Sequence, residues 1–236
     1  MRAAALLLLA PLVAPAAPVP KETNEQAFAR LFGTAVDPNK DCEFAFDGKK
    51  LTVKAGKGDH ALQVSGGRAG APRTLREVEG DFTAEVTAAP GVRPPGAKPA
   101  MEGRLLKFYS QGLLLWVDDG TYVRCEHAHI DRLNGVVSAY ASWELWKGGE
   151  WARPGRPDDG QLDDPRPTRL RLTRKGNEVR GAWSQDGGRS WNELEALALD
   201  LGARVRVGVI VNHNTDAPFA ATFEGFSITP AAGARK

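Results

Sequence analysis

Glu126, in the stretch TYVRCEHA, and Glu144, in ASWELW, come closer than any other side chains of this sequence to a catalytic pair. On neighbouring strands and facing the same side, two carboxylates can flank a glycosidic bond, one as acid and one as nucleophile. The competing reading is an ordinary ion pair with Arg124. No Glu-x-Asp-x-Glu run occurs, the pattern that sets two carboxylates about 5 Å apart on one strand face. His127 and His129 are two apart, so on a strand they share a face and offer two imidazoles to a metal. No carboxylate or third histidine is spaced along the sequence to complete that site. His60 and His213 read as polar strand-end residues. Asp158, Asp159, Asp163 and Asp164 crowd one proline-rich loop where Ca²⁺ could take several carboxylate oxygens, but the spacing is not that of a calcium loop and a solvated acidic loop is the stronger reading. There is no Ser-His-Asp elbow, P-loop or dinucleotide fingerprint.

Recognition is the other chemistry on offer. If Leu113, Leu115 and Val117 point into a core, Leu114 and Trp116 face the other way; with Val123 and Cys125 inward, Tyr122, Arg124 and Glu126 are left outward. The same alternation in VGVIVNHN buries Val207, Val209 and Val211 and exposes Ile210, Asn212 and Asn214. With Glu144 and Trp146 these make an aromatic and polar face, the kind on which sugars stack their C–H surfaces while polar groups take the hydroxyls. The competing reading has the aromatics filling the inner curve of the sandwich or touching loops. Trp143 has the opposite phase to Trp146 and belongs in the core.

The elements that must position these residues are strands. After ETNEQAFARLFG, where Ala27, Leu31 and Phe32 at helical spacing close on Gly33, short runs alternate apolar and polar residues between Gly, Asp, Asn or Pro. Examples are KKLTVKA, DFTAEVTAA, TRLRLTRKG and FAATFEGFSI. Asp118–Thr121 and Lys175–Asn177 read as hairpin turns that place Gly or Asn at positive φ. Two proline-rich gaps, Pro90–Gly103 and Ala152–Pro167, read as surface loops. SQDGGRSW, Ser184 to Trp191, has the Ser-x-Asp-x-Gly-x-x-Trp spacing of the Asp-box that sialidases repeat around their blades. Its job there is a tight hairpin, and a propeller needs several blades, for which this chain has neither the repeats nor the length.

Met1-Arg2, the apolar run Ala3–Val13 and Ala14-Pro15-Ala16 make an export signal too short to span a membrane, with Ala16 or Ala17 the last residue removed. The formal net charge is +2, and Lys and Arg alternate with Asp and Glu instead of forming a stripe, which argues against a nucleic-acid partner. Cys42 and Cys125 allow one disulfide in an exported chain without requiring it.

The order of VEGDFTAEVTAAP, QGLLLWVDDGTYVRCEHA, TRLRLTRKGNEVRGAWSQDGGRSW and VRVGVIVNHNTDAPFAATFEGFSI resembles bacterial members of the domain-of-unknown-function family 1349, in the concanavalin A-like lectin/glucanase superfamily, from Asp37 to Thr229. The resemblance implies a two-sheet jelly roll with one concave face, in a superfamily whose members bind glycans, cleave them or act as adhesive modules. The expectation is therefore an all-β, concanavalin A-like jelly-roll β-sandwich over residues 37–230, preceded by a signal peptide at 1–17 and a lead-in at 18–36 with a short helix, and followed by a flexible tail at 231–236. Its expected role is to bind carbohydrate or another extracellular ligand on the concave face, secreted or in the periplasm, without catalysis. Glycoside cleavage by Glu126 and Glu144, or a purely structural or adhesive cell-surface role, are the alternatives. No cofactor is expected, Ca²⁺ at the acidic loop apart.

Overall fold

A computed structural model describes residues 22–63, 67–96, 101–102, 105–131 and 137–231. The expected signal at 1–17 lies outside the described residues, as does the tail beyond Ala231. Strands are numbered in chain order. One antiparallel sheet holds, in spatial order, β1 (Thr34–Val36), β6 (Arg73–Glu79), β18 (Arg204–His213), β10 (Phe108–Asp118), β11 (Thr121–Asp131), β12 (Val137–Lys147) and β13 (Glu150–Arg153). The other holds β16 (Asn192–Glu193), β15 (Glu178–Ser184), β14 (Thr168–Lys175), β7 (Phe82–Ala88), β19 (Phe219–Pro230), β3 (Lys50–Ala55) and β2 (Glu43–Phe46), with β17 (Leu197–Ala198) also paired to β15. Two short ribbons, β4 (Leu62–Gln63) with β5 (Arg68–Ala69) and β8 (Met101–Glu102) with β9 (Leu105–Leu106), stand apart. This is the expected all-β jelly-roll sandwich. Among the described residues no helix is long and apolar enough to cross a membrane.

The sheets close on each other through the alternate residues that the sequence marks as inward. Leu113, Leu115, Val123, Cys125, Trp143, Val207, Val209 and Val211 meet Leu51, Val53, Phe82, Val86, Leu170, Leu172 and Phe223 in one apolar cluster. Such β-branched and aromatic side chains suit a pleated surface, and each one fully buried contributes roughly 1.5–3 kcal/mol. Both cysteines are free: Cys125 sits in this core and Cys42 lies partly buried elsewhere, so the disulfide that the sequence allows is not formed.

Helix α1 (Asn24–Phe32) begins with a reciprocal Thr23–Gln26 capping box and ends at Gly33, whose φ is 75°. A Cβ on Gly33 would stand 2.2 Å from the Leu75 carbonyl oxygen, so only glycine fits there. The helix docks by Phe32, which stacks on Phe226 at 4.9 Å and packs edge-on against Phe46.

The turns follow their chemistry with one exception. Gly176 takes φ of 58° as expected, whereas Gly120 is absent from positive φ because the register slips by one residue between Trp116 and Asp118. Gly120 instead lies against the Gly148–Gly149 turn, its carbonyl accepting from Gly149 N–H at 2.9 Å. In the SQDGGRSW octet the Asp186 carboxylate accepts from Ser190 Oγ, Ser190 N–H and Arg189 N–H, and Ser184 Oγ accepts from Gly188 N–H. These bonds hold the Asp186 carboxyl below its usual range, led by the Ser190 hydroxyl. The motif is a turn, as expected.

The Ala152–Pro167 segment departs from a plain surface loop. Its first residues belong to β13, Leu162 is buried with Ala139 and Ala141, and backbone bonds from Ala141 N–H to Gly160 and from Leu162 N–H to Ala139 extend the edge of β12.

Candidate functional site: a covered concave face

Register assembles the face. On β10, β11 and β12 the pairs Trp116–Tyr122–Trp146, Leu114–Arg124–Glu144 and Gly112–Glu126–Ser142 stand opposite one another, and β18 adds Ile210 beside Gly112 and Asn212 beside Ser110. All of these point away from the core between the sheets, because residues two apart on a strand share a side. Trp116, Tyr122, Arg124, Glu126, Glu144, Trp146 and Asn212 therefore lie together on one face, as the sequence predicts.

They are not open to solvent. Trp116, Tyr122 and Trp146 are buried, Arg124 is 5 % exposed, Glu126 1 % and Glu144 8 %. Ile210 and Asn212, which alternation alone exposes, are fully buried. The cover is the segment around β4 and β5. Leu62, Ala71 and Leu75 join Leu114, Trp116, Tyr122, Trp146 and Ile210 in a second apolar cluster. Tyr122 O–H donates to the Leu62 carbonyl at 3.2 Å, Leu62 N–H donates to Asn212 Oδ1 at 3.1 Å, and the Arg73 guanidinium lies over the Trp116 ring at 4.7 Å. From the other side Gly155 comes so close that a Cβ there would stand 2.0 Å from Ser142 Oγ. The aromatics form a ladder, Trp116 to Tyr122 to Trp146 to Trp151, with ring centroids 5.5, 5.8 and 5.7 Å apart, that reaches solvent only at Trp151, 47 % exposed.

Beneath the cover sits a polar cluster. Arg124 Nη2 pairs with Glu144 Oε2, and Arg124 Nη1 lies 3.6 Å from Glu126 Oε2. Glu126 Oε1 accepts from Ser110 Oγ at 3.1 Å and from Asn212 Nδ2; Glu144 accepts from Ser142 Oγ at 3.2 Å and from Trp146 Nε1 at 3.3 Å. Burial pushes the Glu126 carboxyl up; Arg124 opposes this and the nearby Glu144 charge adds to it. Burial alone would weaken the Arg124 cation, but Glu126 and Glu144 outweigh it and hold the guanidinium above its usual value. One cation between two carboxylates leaves an excess negative charge in a dry place, and protonating Glu126 relieves it. The space among Ser110, Arg124, Glu126, Tyr140, Ser142 and Glu144 is about 30 Å³, enough for a water molecule and not for a sugar ring. The glycosidase pair raised by the sequence is in this geometry an ion cluster.

Asn214 sits apart from the others. Its Oδ1 accepts from Phe108 N–H at 2.7 Å and its Nδ2 donates to the Leu106 carbonyl at 2.9 Å, so it fixes the entry to β10. It also lines an open cleft of about 570 Å³ where the β4–β5 ribbon meets the start of β10 and the end of β18, with Lys57, Asp59, Arg68, Lys107 and Thr215. Arg68 is braced by Asp59 at 2.6 Å and lies over the Phe108 ring. Sequence reasoning missed these cleft residues, because nothing marks the Gly-rich stretch around Arg68 as a cover. Ser110 and Ser142 were legible, sharing the phase of Trp116 and Glu144.

Three of the four loop aspartates turn to separate partners. Asp159 holds Arg153 at 2.6 Å, Asp163 holds Arg166 at 2.9 Å, and Asp164 reaches His129.

Fold and face together define a two-sheet antiparallel jelly-roll sandwich. No family model matches the chain, and no curated protein does. Among solved structures, a functionally unknown protein from Saccharomyces cerevisiae is similar with a TM-score of 0.61 at 19 % identity, over 85 % of this chain and 97 % of that one. A bifunctional GH43-CE protein from Bacteroides eggerthii is similar at a TM-score of 0.51 and 14 % identity, over 77 % of this chain, which spans 21 % of that protein's length. These likenesses are of fold.

Proposed function

We propose that the protein is an exported, non-catalytic β-sandwich of the domain-of-unknown-function family 1349 that binds a saccharide at the open end of its concave face. The observation that carries this reading is the cleft of about 570 Å³ lined by Lys57, Asp59, Arg68, Lys107 and Thr215 beside the covered face. Its size suits one or two sugar rings, and it mixes the cationic donors of Lys57 and Arg68 with the carboxylate of Asp59, groups that bind hydroxyls. Arg68, which lines the cleft, lies over the Phe108 ring. Against catalysis stand the Arg124 cation between Glu126 and Glu144 and the lack of room for substrate beside them. The aromatics Trp116, Tyr122 and Trp146 would then support the binding end from beneath, and they could meet a sugar directly only if the Leu62 segment lifted.

A glycan array followed by calorimetry on the best ligand, with wild type, Arg68→Ala and Trp116→Phe checked for folding by circular dichroism, tests this. Arg68→Ala is expected to weaken binding by about tenfold or more, a loss of at least about 1.4 kcal/mol, and Trp116→Phe to leave it nearly unchanged. The reverse order would move the site to the covered face, and a wild type that binds no glycan removes the reading. Export is part of the same proposal: the mature protein recovered from the periplasm or medium should begin at Ala17 or Pro18.

A further inference from the structure

Beyond that cleft, on the opposite side of β11, two histidines meet a carboxylate from a distant loop. His127 and His129 sit at alternate positions of β11, facing the inter-sheet side near its end, and their rings stack with centroids 4.7 Å apart. Asp164, on the segment that follows the 157–159 turn, reaches in so that its Oδ1 contacts His129 Nε2. One ligand atom from each of the three lies within 4.8 Å of the others. This completes what the sequence left incomplete: 35 positions separate His129 from Asp164 along the chain, and the loop folds back to close the gap.

His127 is the telling member. It is 0 % exposed, and neither of its ring nitrogens has a hydrogen-bond partner. Its cross-strand neighbours cannot help, because Ala141 has no polar side chain and Gln111 spends its amide on the Ala89 carbonyl and the Thr222 N–H. A neutral imidazole offers one donor and one acceptor, and desolvating both without a partner is a cost that buried polar groups in native proteins rarely carry. Burial, with His129 beside it, pushes the His127 pKa down to about 3, which leaves the ring in the neutral form that metals bind. His129 is locked between Tyr109, stacked at 4.6 Å, and Gly91, where a Cβ would stand 2.2 Å from the ring.

We propose that His127, His129 and Asp164 form a site for one divalent transition-metal ion of the zinc class. Two imidazole nitrogens and one carboxylate oxygen are a donor set that such ions accept and that Ca²⁺ and Mg²⁺ do not favour. Bonds of about 2.0–2.2 Å would draw the three ligand atoms in around the ion, which takes the place of the direct His129–Asp164 contact. A cavity of about 290 Å³ lined by Pro90, Val92, Arg93, Tyr109 and Asp164 lies on the Asp164 side of the cluster. Next along the same face, Arg93 pairs with Asp131, so that carboxylate is occupied.

The test is Zn²⁺ titration of the full chain after dialysis against a chelator, read by calorimetry and by metal analysis, with Co²⁺ as a spectroscopic probe. Wild type should take up one equivalent, with a Co²⁺ spectrum of nitrogen and oxygen ligation and no thiolate charge-transfer band. His127→Leu should abolish uptake, and Asp164→Ala should weaken it by about tenfold or more. Asp164 is half exposed, so its removal keeps the experiment decisive if the His127 variant does not fold. Cys42→Ser should change nothing; it tests the second group of potential ligands, Asp41, Cys42 and His60. Absence of uptake by wild type, unchanged uptake in Asp164→Ala, or loss in Cys42→Ser would each overturn the site.

Discussion

The seven-stranded sheet is buried on both faces of its middle strands, β10 to β12, by opposite chemistries. Toward the second sheet it presents Leu113, Leu115, Val123, Cys125, Val207 and Val209, an aliphatic surface with little specificity beyond shape. On its concave side it presents an arginine, two glutamates and three stacked aromatics, and only a thin ribbon and a loop cover them. An antiparallel sheet can leave one face to water, and then clean alternation is the rule. Here the second face is covered across β10–β12, and most of its buried polar groups pair inside the protein, Trp116 Nε1 and Arg124 Nε being exceptions. The aliphatic side supports the fold through area; the concave side depends on the pairing of Arg124 with Glu126 and Glu144, and removing one member there costs more than the member itself contributed.

Arg124→Ala should give the sharpest contrast between the faces. It strands Glu126 and Glu144 without their cation in a buried place, and the expected loss is about 3–5 kcal/mol in urea unfolding. Leu115→Ala on the inner face should cost about 2–5 kcal/mol through cavity creation, the range for deleting a buried leucine. The two separate in a second substitution. Adding Glu126→Gln and Glu144→Gln should recover much of the Arg124→Ala loss, whereas nothing on the concave face should rescue Leu115→Ala. A triple variant as unstable as Arg124→Ala alone would mean that Arg124 acts through packing and not through charge.

How far this contrast could be read in the sequence depends on the segment. Phase along TYVRCEHA and VGVIVNHN places Tyr122, Arg124, Glu126, Ile210 and Asn212 on the correct side, since period-2 geometry is local and does not depend on partners. Burial is not local. The uninterrupted run Leu113–Val117 in QGLLLWVD carried the warning, because a strand apolar at consecutive positions has apolar surroundings on both faces. The cover itself, within residues 60–63 and 67–73, gave no warning: its ribbons are two residues each and its glycines read as a loop. Asp164 was invisible as a partner for His129 for a similar reason. Ligand spacing is legible along one strand, and a loop that returns after 35 positions leaves no periodic trace.

His213 extends the comparison to the end of β18, where the inner face ends on imidazole. It is fully buried and stacks on His60 at 4.8 Å. Burial first, then His60, pushes its pKa from 6.5 down to about 4. The sign follows from linkage: the depressed group stays neutral in the fold while the unfolded chain takes up a proton, so stability is intact above about pH 6.5 and is lost as pH falls toward 4. That difference corresponds to about 3 kcal/mol. His213→Phe keeps the stacking and removes the proton site, so melts from pH 7 to 4 should show a shallower acid decline than wild type. An identical slope in the two proteins would place the acid sensitivity elsewhere.

Glu126→Gln should be the mildest of the changes, and its mildness is informative. Gln keeps an oxygen that accepts from Ser110 and Asn212, the bonds that now hold Glu126 Oε1. It removes the charge that burial and Glu144 already disfavour. The opposing effect is a weaker partner for Arg124, which still has Glu144. The two nearly offset, and the variant is expected within about 1 kcal/mol of wild type near neutral pH. Its pH dependence carries the sharper signal. A carboxyl raised above its ordinary 4.5 stabilises the fold below that pH and loses this contribution as rising pH ionises it in place. Wild type should therefore lose stability, relative to Glu126→Gln, as pH climbs above about 4.5, the reverse of the His213 trend. Parallel curves over that range would show that Glu126 is ionised throughout and that Arg124 alone balances both carboxylates.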